Sequence, residues 1–199
     1  MILTDGIIGQ MMEPVDLDAI PVVNPEPPSW AMGVNKTGRD PNIITSIWLD
    51  PEDMANKHLE FMAKYDAIRE QEVRYEEYMC DDAEILCIAY GSASRSVMGT
   101  VRKLREEGMK VGMIRPITLW PYPYDKVREL AQGKKAVIAY EMNWGQMVED
   151  AALALRMNPV PLHFVPRHGG LTFGPDDVEI PLRAIAADPN RSETLWGPK

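Results

Sequence analysis

A chain of 199 residues, 45% of them hydrophobic, is long enough for one α/β domain with a real core plus appendages. Its formal net charge of −9 excludes a whole-chain basic field for nucleic acid, and no apolar run reaches membrane-spanning length. No cationic segment followed by an apolar one opens the chain, so a cytoplasmic protein with no membrane contact is the default expectation.

In chain order, the first feature is "DGIIGQMME" at 5–13, which returns as "EMNWGQMVE" at 141–149. Each has an acid, three residues, Gly-Gln-Met, one residue and Glu, and each follows a short apolar run. Residues 1–13 read as strand, tight loop and one helical turn, ended by Pro14, which biases Glu13 away from the α region. Residues 14–46 hold Pro14, Pro21, Pro25, Pro27, Pro28 and Pro41 with Gly33 and Gly38, and keep no periodicity. An extended connector is expected. It is rich in Val22, Val23, Trp30, Met32, Ile43 and Ile44, so it should be pinned to a surface.

"DPEDM" at 50–54 is a helix start, with Asp50 as N-cap and Pro51 at the first helical position. The residues after it run to Met79 with a narrow stripe of Leu59, Met62, Tyr65, Ile68, Tyr75 and Met79 in a densely charged background, which predicts one long half-exposed helix. From residue 83 strand and helix patterns alternate. Strands are expected at 83–90, 110–116, 135–141 and 160–166, and helices at 94–108, 124–133 and 145–156, two of them closed by Gly108 and Gly133. Such alternation with short connections implies a small doubly wound, mostly parallel α/β sheet covered on both faces. "GPDDVEIPLRAIA" at 174–186 adds a terminal helix before a polar end.

Ligands of doubly wound sheets sit beyond the carboxyl ends of the strands, where four loops converge. "GSASRS" offers Gly91, Ser92, Ser94 and Arg95 at a helix start, which suits an anion; it also suits a plain strand–helix turn with a serine N-cap, the commoner arrangement. It is neither a dinucleotide fingerprint nor a Walker loop. "RPITLWPYP" at 115–123 carries Arg115 and Trp120 in a stiff apolar ridge, better suited to an interface than to catalysis. "EMNWGQ" sets Glu141 at a strand end with Asn143 and Gln146 at a helix start, and "RHGG" adds His168. Glu141 and Arg115 are expected to pair across neighbouring loops. Cys80 and Cys87 are seven apart, too few for a cluster or structural zinc, and Cys87 reads as a buried apolar residue; His58, His163 and His168 show no metal spacing. No catalytic set and no metal site is expected on this chain.

Taken together, "ILTDGIIGQMMEPV", "NIITSIWLDPEDM", "EVRYEEYMCDDAE", "IAYGSASR", "EEGMKVGMIRPITLWPYP" and "EMNWGQMVEDAALAL" resemble the 2-oxoacid:ferredoxin oxidoreductases. The likeness is to the alpha subunit of the branched-chain (2-ketoisovalerate) type, with the 2-oxoglutarate type next. The resemblance implies that 1–13 are a remnant of a pyrimidine-binding domain, 14–82 a connector with its long helix, 83–180 a transketolase C-terminal-like domain, and 181–199 a tail. It also implies thiamine diphosphate, Mg, CoA and iron–sulfur clusters in the complete complex, with none of them bound by this chain alone. The implied partners are a thiamine-diphosphate-binding subunit, gamma- and delta-type subunits and, indirectly, ferredoxin. Contacts are expected through 14–46 and "LWPYP", in an oligomer. The alternative is an independent small-anion or nucleotide-binding module on a doubly wound sheet.

Overall fold

A computed structural model describes residues 1–28, 31, 38, 43 and 45–191. It divides into two units, one of Met1–Gln10 with Ala67–Lys199 and one of Met11–Asp66.

In the Met11–Asp66 unit, the described part of the connector before residue 46 forms neither helix nor strand, and Val22 and Val23 are exposed. Trp30, Met32 and Ile44 lie outside the described residues. Helix α1 (Pro51–Gln71) begins as its sequence requires: Asp50 Oδ1 accepts from the amides of Glu52 at 2.9 Å and Asp53 at 3.1 Å, with Pro51 spending no amide. None of its residues is buried. It stops at Gln71, eight residues short of the expected end at Met79.

The other unit is built on a five-stranded sheet: β1 (Tyr75–Tyr78), β2 (Ile85–Ala89), β3 (Val111–Pro116), β4 (Ala136–Glu141) and β5 (Leu162–Pro166), in the order β1-β3-β2-β4-β5. Strands β2 to β5 are parallel, as the alternation requires. The departure is β1, an antiparallel edge strand on β3 with Glu76 opposite Arg115, drawn from residues whose spacing predicted helix. The sheet therefore starts at Tyr75 rather than near 83.

Helices α2 (Gly91–Glu106) and α5 (Pro175–Ala187) cover one face, and α3 (Tyr124–Leu130) and α4 (Met147–Leu155) the other. Every residue of β2 is buried, and the pleat divides it: Ile85, Cys87 and Ala89 join the α2/α5 core, Leu86 and Ile88 the α3/α4 core. Cys87 is a buried free thiol inside the first core. Helix α5 runs through residue 181 without a break and buries Val178, Leu182 and Ile185, so the expected border between 180 and a tail falls inside a core helix. Residues 1–4 form no strand, and the N-terminal segment holds only a 3-10 turn, Ile8–Gln10.

The chain passes from β2 by α2 to β3 on one side, then back by α3 to β4 on the other side of β2. The winding direction reverses between the carboxyl ends of β2 and β4, which opens a crevice there.

Candidate functional site

The crevice between β2 and β4 collects Tyr90, Gly91 and Ser92 from one loop and Glu141, Met142 and Asn143 from the other. Glu141, at the last position of β4, is 0% exposed although it is a carboxylate. Its oxygens accept from the backbone amides of Gln146 at 3.3 Å, Met147 at 2.9 Å and Val148 at 2.6 Å, and from Asn143 Nδ2 at 3.1 Å. Those amides are the ones a helix leaves unpaired at its start, so α4 carries its own anion. Asn143 is spent in the same network: Nδ2 also donates to the Tyr90 hydroxyl at 3.1 Å, and Oδ1 accepts from the Gly145 amide at 2.7 Å. Burial, reinforced by the Glu141 charge, raises the Tyr90 pKa above its ordinary value despite the bond from Asn143, which keeps the phenol protonated.

The start of α2 is filled differently. Its N-cap is Tyr90, whose side chain makes no cap bond, and Gly91 comes next in the left-handed region at φ 57°. The Ser92 hydroxyl donates to the carboxylate of Asp5, 87 residues earlier in the chain, and lies 3.0 Å from Met142 Sδ. Asp5 Oδ1 meanwhile accepts from the amides of Ile7 at 3.1 Å and Ile8 at 2.8 Å, which shapes the N-terminal turn. Partial burial raises the Asp5 pKa, but the bonds from Ser92, Ile8 and Ile7 outweigh it and hold the carboxyl below its ordinary value. A carboxylate so held is a poor proton acceptor at neutral pH, so Ser92 is not an activated nucleophile.

The two copies of the repeated segment therefore use their acid in related but unequal ways. Asp5 reaches the amides two and three residues on, whereas Glu141 reaches those five to seven residues on. The longer loop in the second copy lets the acid sit under a full helix.

Of the residues singled out from sequence, the crevice brings together Gly91, Ser92, Glu141, Asn143 and the backbone of Gln146. Ser94 turns inward and donates to the Gly91 carbonyl at 2.7 Å, so the expected serine N-cap is not made. Arg95 is exposed on α2. His168 is exposed and stacks on Trp144, ring centroids 3.9 Å apart and planes 23° from parallel. Arg115 does not pair with Glu141. Its guanidinium donates to Glu76 at 3.0 Å, its neighbour across the β1–β3 ladder. Trp120, half exposed, helps line a groove of about 690 Å³ with Tyr75, Tyr122, Tyr124, Arg69 and Lys126. There the Tyr124 hydroxyl donates to Asp150, and burial together with that charged acceptor pushes the phenol up to about 12.

Sequence reading missed Asp5, Tyr90 and Trp144 as parts of this edge. The repeat had marked Asp5 as equivalent to Glu141, which was the available signal; its partner Ser92 lies too far along the chain for any local pattern to show.

Among the described residues no group of three or more His, Cys, Asp or Glu is placed to hold a metal ion, and the two cysteines are separately buried thiols. Two separately buried thiols do not fit a four-thiolate iron–sulfur cluster. No described helix is long and apolar enough to cross a membrane.

Residues 83–178 match the family model of pyruvate:ferredoxin oxidoreductase core domain II. The ketoisovalerate oxidoreductase subunit VorB of Methanothermobacter thermautotrophicus is 42% identical over 188 residues, covering 94% of this chain and 53% of that subunit. The 2-oxoglutarate synthase subunit KorA of Methanothermobacter marburgensis is 38% identical over 111 residues, covering 55% of this chain and 29% of that one. A solved 2-oxoglutarate:ferredoxin oxidoreductase from Magnetococcus marinus, with 2-oxoglutarate, coenzyme A and succinyl-CoA bound, superposes with a TM-score of 0.58 at 22% identity, covering 72% of this chain and 24% of that one, and shares the fold. The chain spans about half the length of the VorB relatives it matches. Residues 83–178 match core domain II, and the likeness to a ketoisovalerate oxidoreductase subunit runs along 94% of this chain, so the chain is similar to subunits of the 2-oxoacid:ferredoxin oxidoreductases.

Proposed function

We propose that the chain is part of a thiamine-diphosphate-dependent 2-oxoacid:ferredoxin oxidoreductase, and that it works as a structural and assembly portion with no turnover alone. The reaction is a CoA-dependent oxidative decarboxylation: the 2-oxoacid loses CO2, its acyl group passes to the CoA thiol, and the electrons pass to ferredoxin. The substrate favoured is 2-ketoisovalerate. The observation that carries this choice is the breadth of one likeness: the ketoisovalerate subunit aligns along 94% of the chain, the 2-oxoglutarate subunit along 55%.

The assembly role is supported by the chemistry of the carboxyl edge. Both helix starts in the crevice are occupied by the chain's own carboxylates, Asp5 and Glu141, and its hydroxyl and amide groups are spent on each other. Thiamine diphosphate, Mg, CoA and the clusters would then be held by other parts of the complex, in the cytoplasm, on thiamine-diphosphate-binding and gamma- and delta-type subunits. The independent anion- or nucleotide-binding module has less support, because an anion at either helix start would have to displace a bound carboxylate.

The test is an assay of the purified chain with 2-ketoisovalerate, CoA and a viologen dye, with thiamine diphosphate and Mg supplied, and calorimetric titration with thiamine diphosphate in parallel. No turnover and no stoichiometric binding are expected from the chain alone. Turnover by the chain alone overturns the proposal.

A further inference from the structure

Among the described residues, the hydrogen bonds that join the N-terminal turn to the core are made at Ser92. Of residues 1–10, all but Asp5 and Ile8 are exposed. The turn closes on itself through Gly9 N to Asp5 O at 3.1 Å and Gln10 N to Ile7 O at 3.0 Å, and Asp5 Oδ1 takes two more of its amides. Those bonds lie within the turn and shape it. The attachment is made at Ser92, whose hydroxyl donates to the other carboxylate oxygen, Oδ2, and whose amide also favours the charged carboxylate. Oδ2 lies 3.8 Å from where a Cβ on Gly91 would stand, so it sits directly over the start of α2. Ser92 in turn touches Met142 on the β4–α4 loop. One carboxylate thus joins three pieces of chain at the point where the sheet changes winding direction.

We propose that the Asp5–Ser92 contact is a latch that seats the N-terminal turn on the crevice, covering the start of α2 while it holds and uncovering it when it releases. The division of labour between the two oxygens of Asp5 is what makes this a latch and not simply a turn. One oxygen preserves the shape of the segment whether docked or free. The other decides where the segment lies. A shaped segment whose hydrogen bonds to the core, among the described residues, are all made at Ser92 opens as a unit, at a free energy well below that of global unfolding. The latch stands on this geometry and does not depend on which 2-oxoacid the complete enzyme uses.

Hydrogen exchange on the 199-residue chain tests it. Ser92→Ala removes the hydroxyl donor and leaves both turn bonds to Asp5 Oδ1 in place. Amides of residues 7–10 should then exchange about tenfold faster or more, as should those of the first turn of α2, while amides in β2 and β4 keep their rates. Asp5→Asn, which also weakens the turn's own bonds and the bond from the Ser92 amide, should speed exchange at residues 7–10 at least as much, and the double variant should be no worse than Asp5→Asn alone. Ser92→Thr, which keeps the hydroxyl, should exchange as the parent does. Unchanged exchange at residues 7–10 in Ser92→Ala overturns the latch. So does a rise that β2 and β4 share in step, since that reports general loosening.

Discussion

The Glu141 side chain has no exposed surface and remains in place because four N–H donors surround its oxygens. Glutamine has the same shape, but one of its two terminal groups is itself a donor. Wherever that amide points, it faces a backbone N–H or Asn143, and at least one buried donor is left without an acceptor. Hydrogen bonds to charged groups contribute about 1.5–3 kcal/mol each, and an unsatisfied buried donor costs about 1–3 kcal/mol. Glu141→Gln should therefore destabilise the chain by about 2–4 kcal/mol, read as a lower urea midpoint at unchanged m-value. A second substitution at Arg115 should rescue none of this loss, because Arg115 is bonded to Glu76. An unchanged midpoint for Glu141→Gln would show that the amide cage does not depend on the charge. The residue types at this edge were legible from "EMNWGQ" at a strand end, but the pairing was not. Adjacent loops made Arg115 look like the natural partner. The helix amides are nearer and more numerous, and the spacing around Glu76 predicts helix rather than the strand that sets it opposite Arg115.

At the scale of elements, the parallel strands and their helices were legible because their patterns are clean: fully apolar runs of β length, then amphipathic stretches closed by glycine. Strand β1 was not. Its sequence, Tyr-Glu-Glu-Tyr, continues the i, i+3, i+4 spacing of the preceding helix and contains two good helix formers. What makes it a strand is a long-range ladder with β3, and tertiary pairing outweighs local propensity there. The ladder is tight where the chain leaves it. A Cβ on Gly112 would lie 2.5 Å from the Met79 carbonyl oxygen and 3.0 Å from Cys80 Cα, both backbone atoms that cannot swing aside. Met79 itself sits at φ 54°, so this exit is already an unusual turn. Gly112→Ala should force β3 and the 79–80 turn apart, costing about 1–3 kcal/mol, the usual penalty of overpacking. The loss should come with faster exchange of β1 amides relative to β4. Full stability in Gly112→Ala would mean that the turn can move as a body, and that β1 is more loosely held than the ladder implies.

Exposed apolar side chains are spread along the described residues, and some of them lie on the proline-rich loop that follows β3. Beyond β3, Ile117 and Trp120 are each about half exposed, and Trp120 lines the 690 Å³ groove with Tyr75, Tyr122 and Tyr124. Apolar side chains on a proline-stiffened loop lose little conformational freedom on contact, and aromatic residues that fill a partner's pocket dominate many interfaces. That loop, read as an interface ridge from "RPITLWPYP" alone, has the composition and exposure such a role needs. The connector residues proposed to share it, Trp30 and Met32, lie outside the described residues, so the test rests on the ridge. Sedimentation velocity of the chain, alone and with the other subunits, should show a species heavier than one chain. Trp120→Ala should weaken that association at least tenfold, a loss of the order expected for a buried aromatic anchor. It should leave the urea midpoint nearly unchanged, since Trp120 is a surface residue here. A sharp monomer at high concentration that also ignores the other subunits would remove the ridge as an interface. A Trp120→Ala variant that assembles normally would move the contact elsewhere on the surface. The fold favours the first pattern: Trp120 is about half exposed and lines a groove together with Tyr75, Tyr122 and Tyr124.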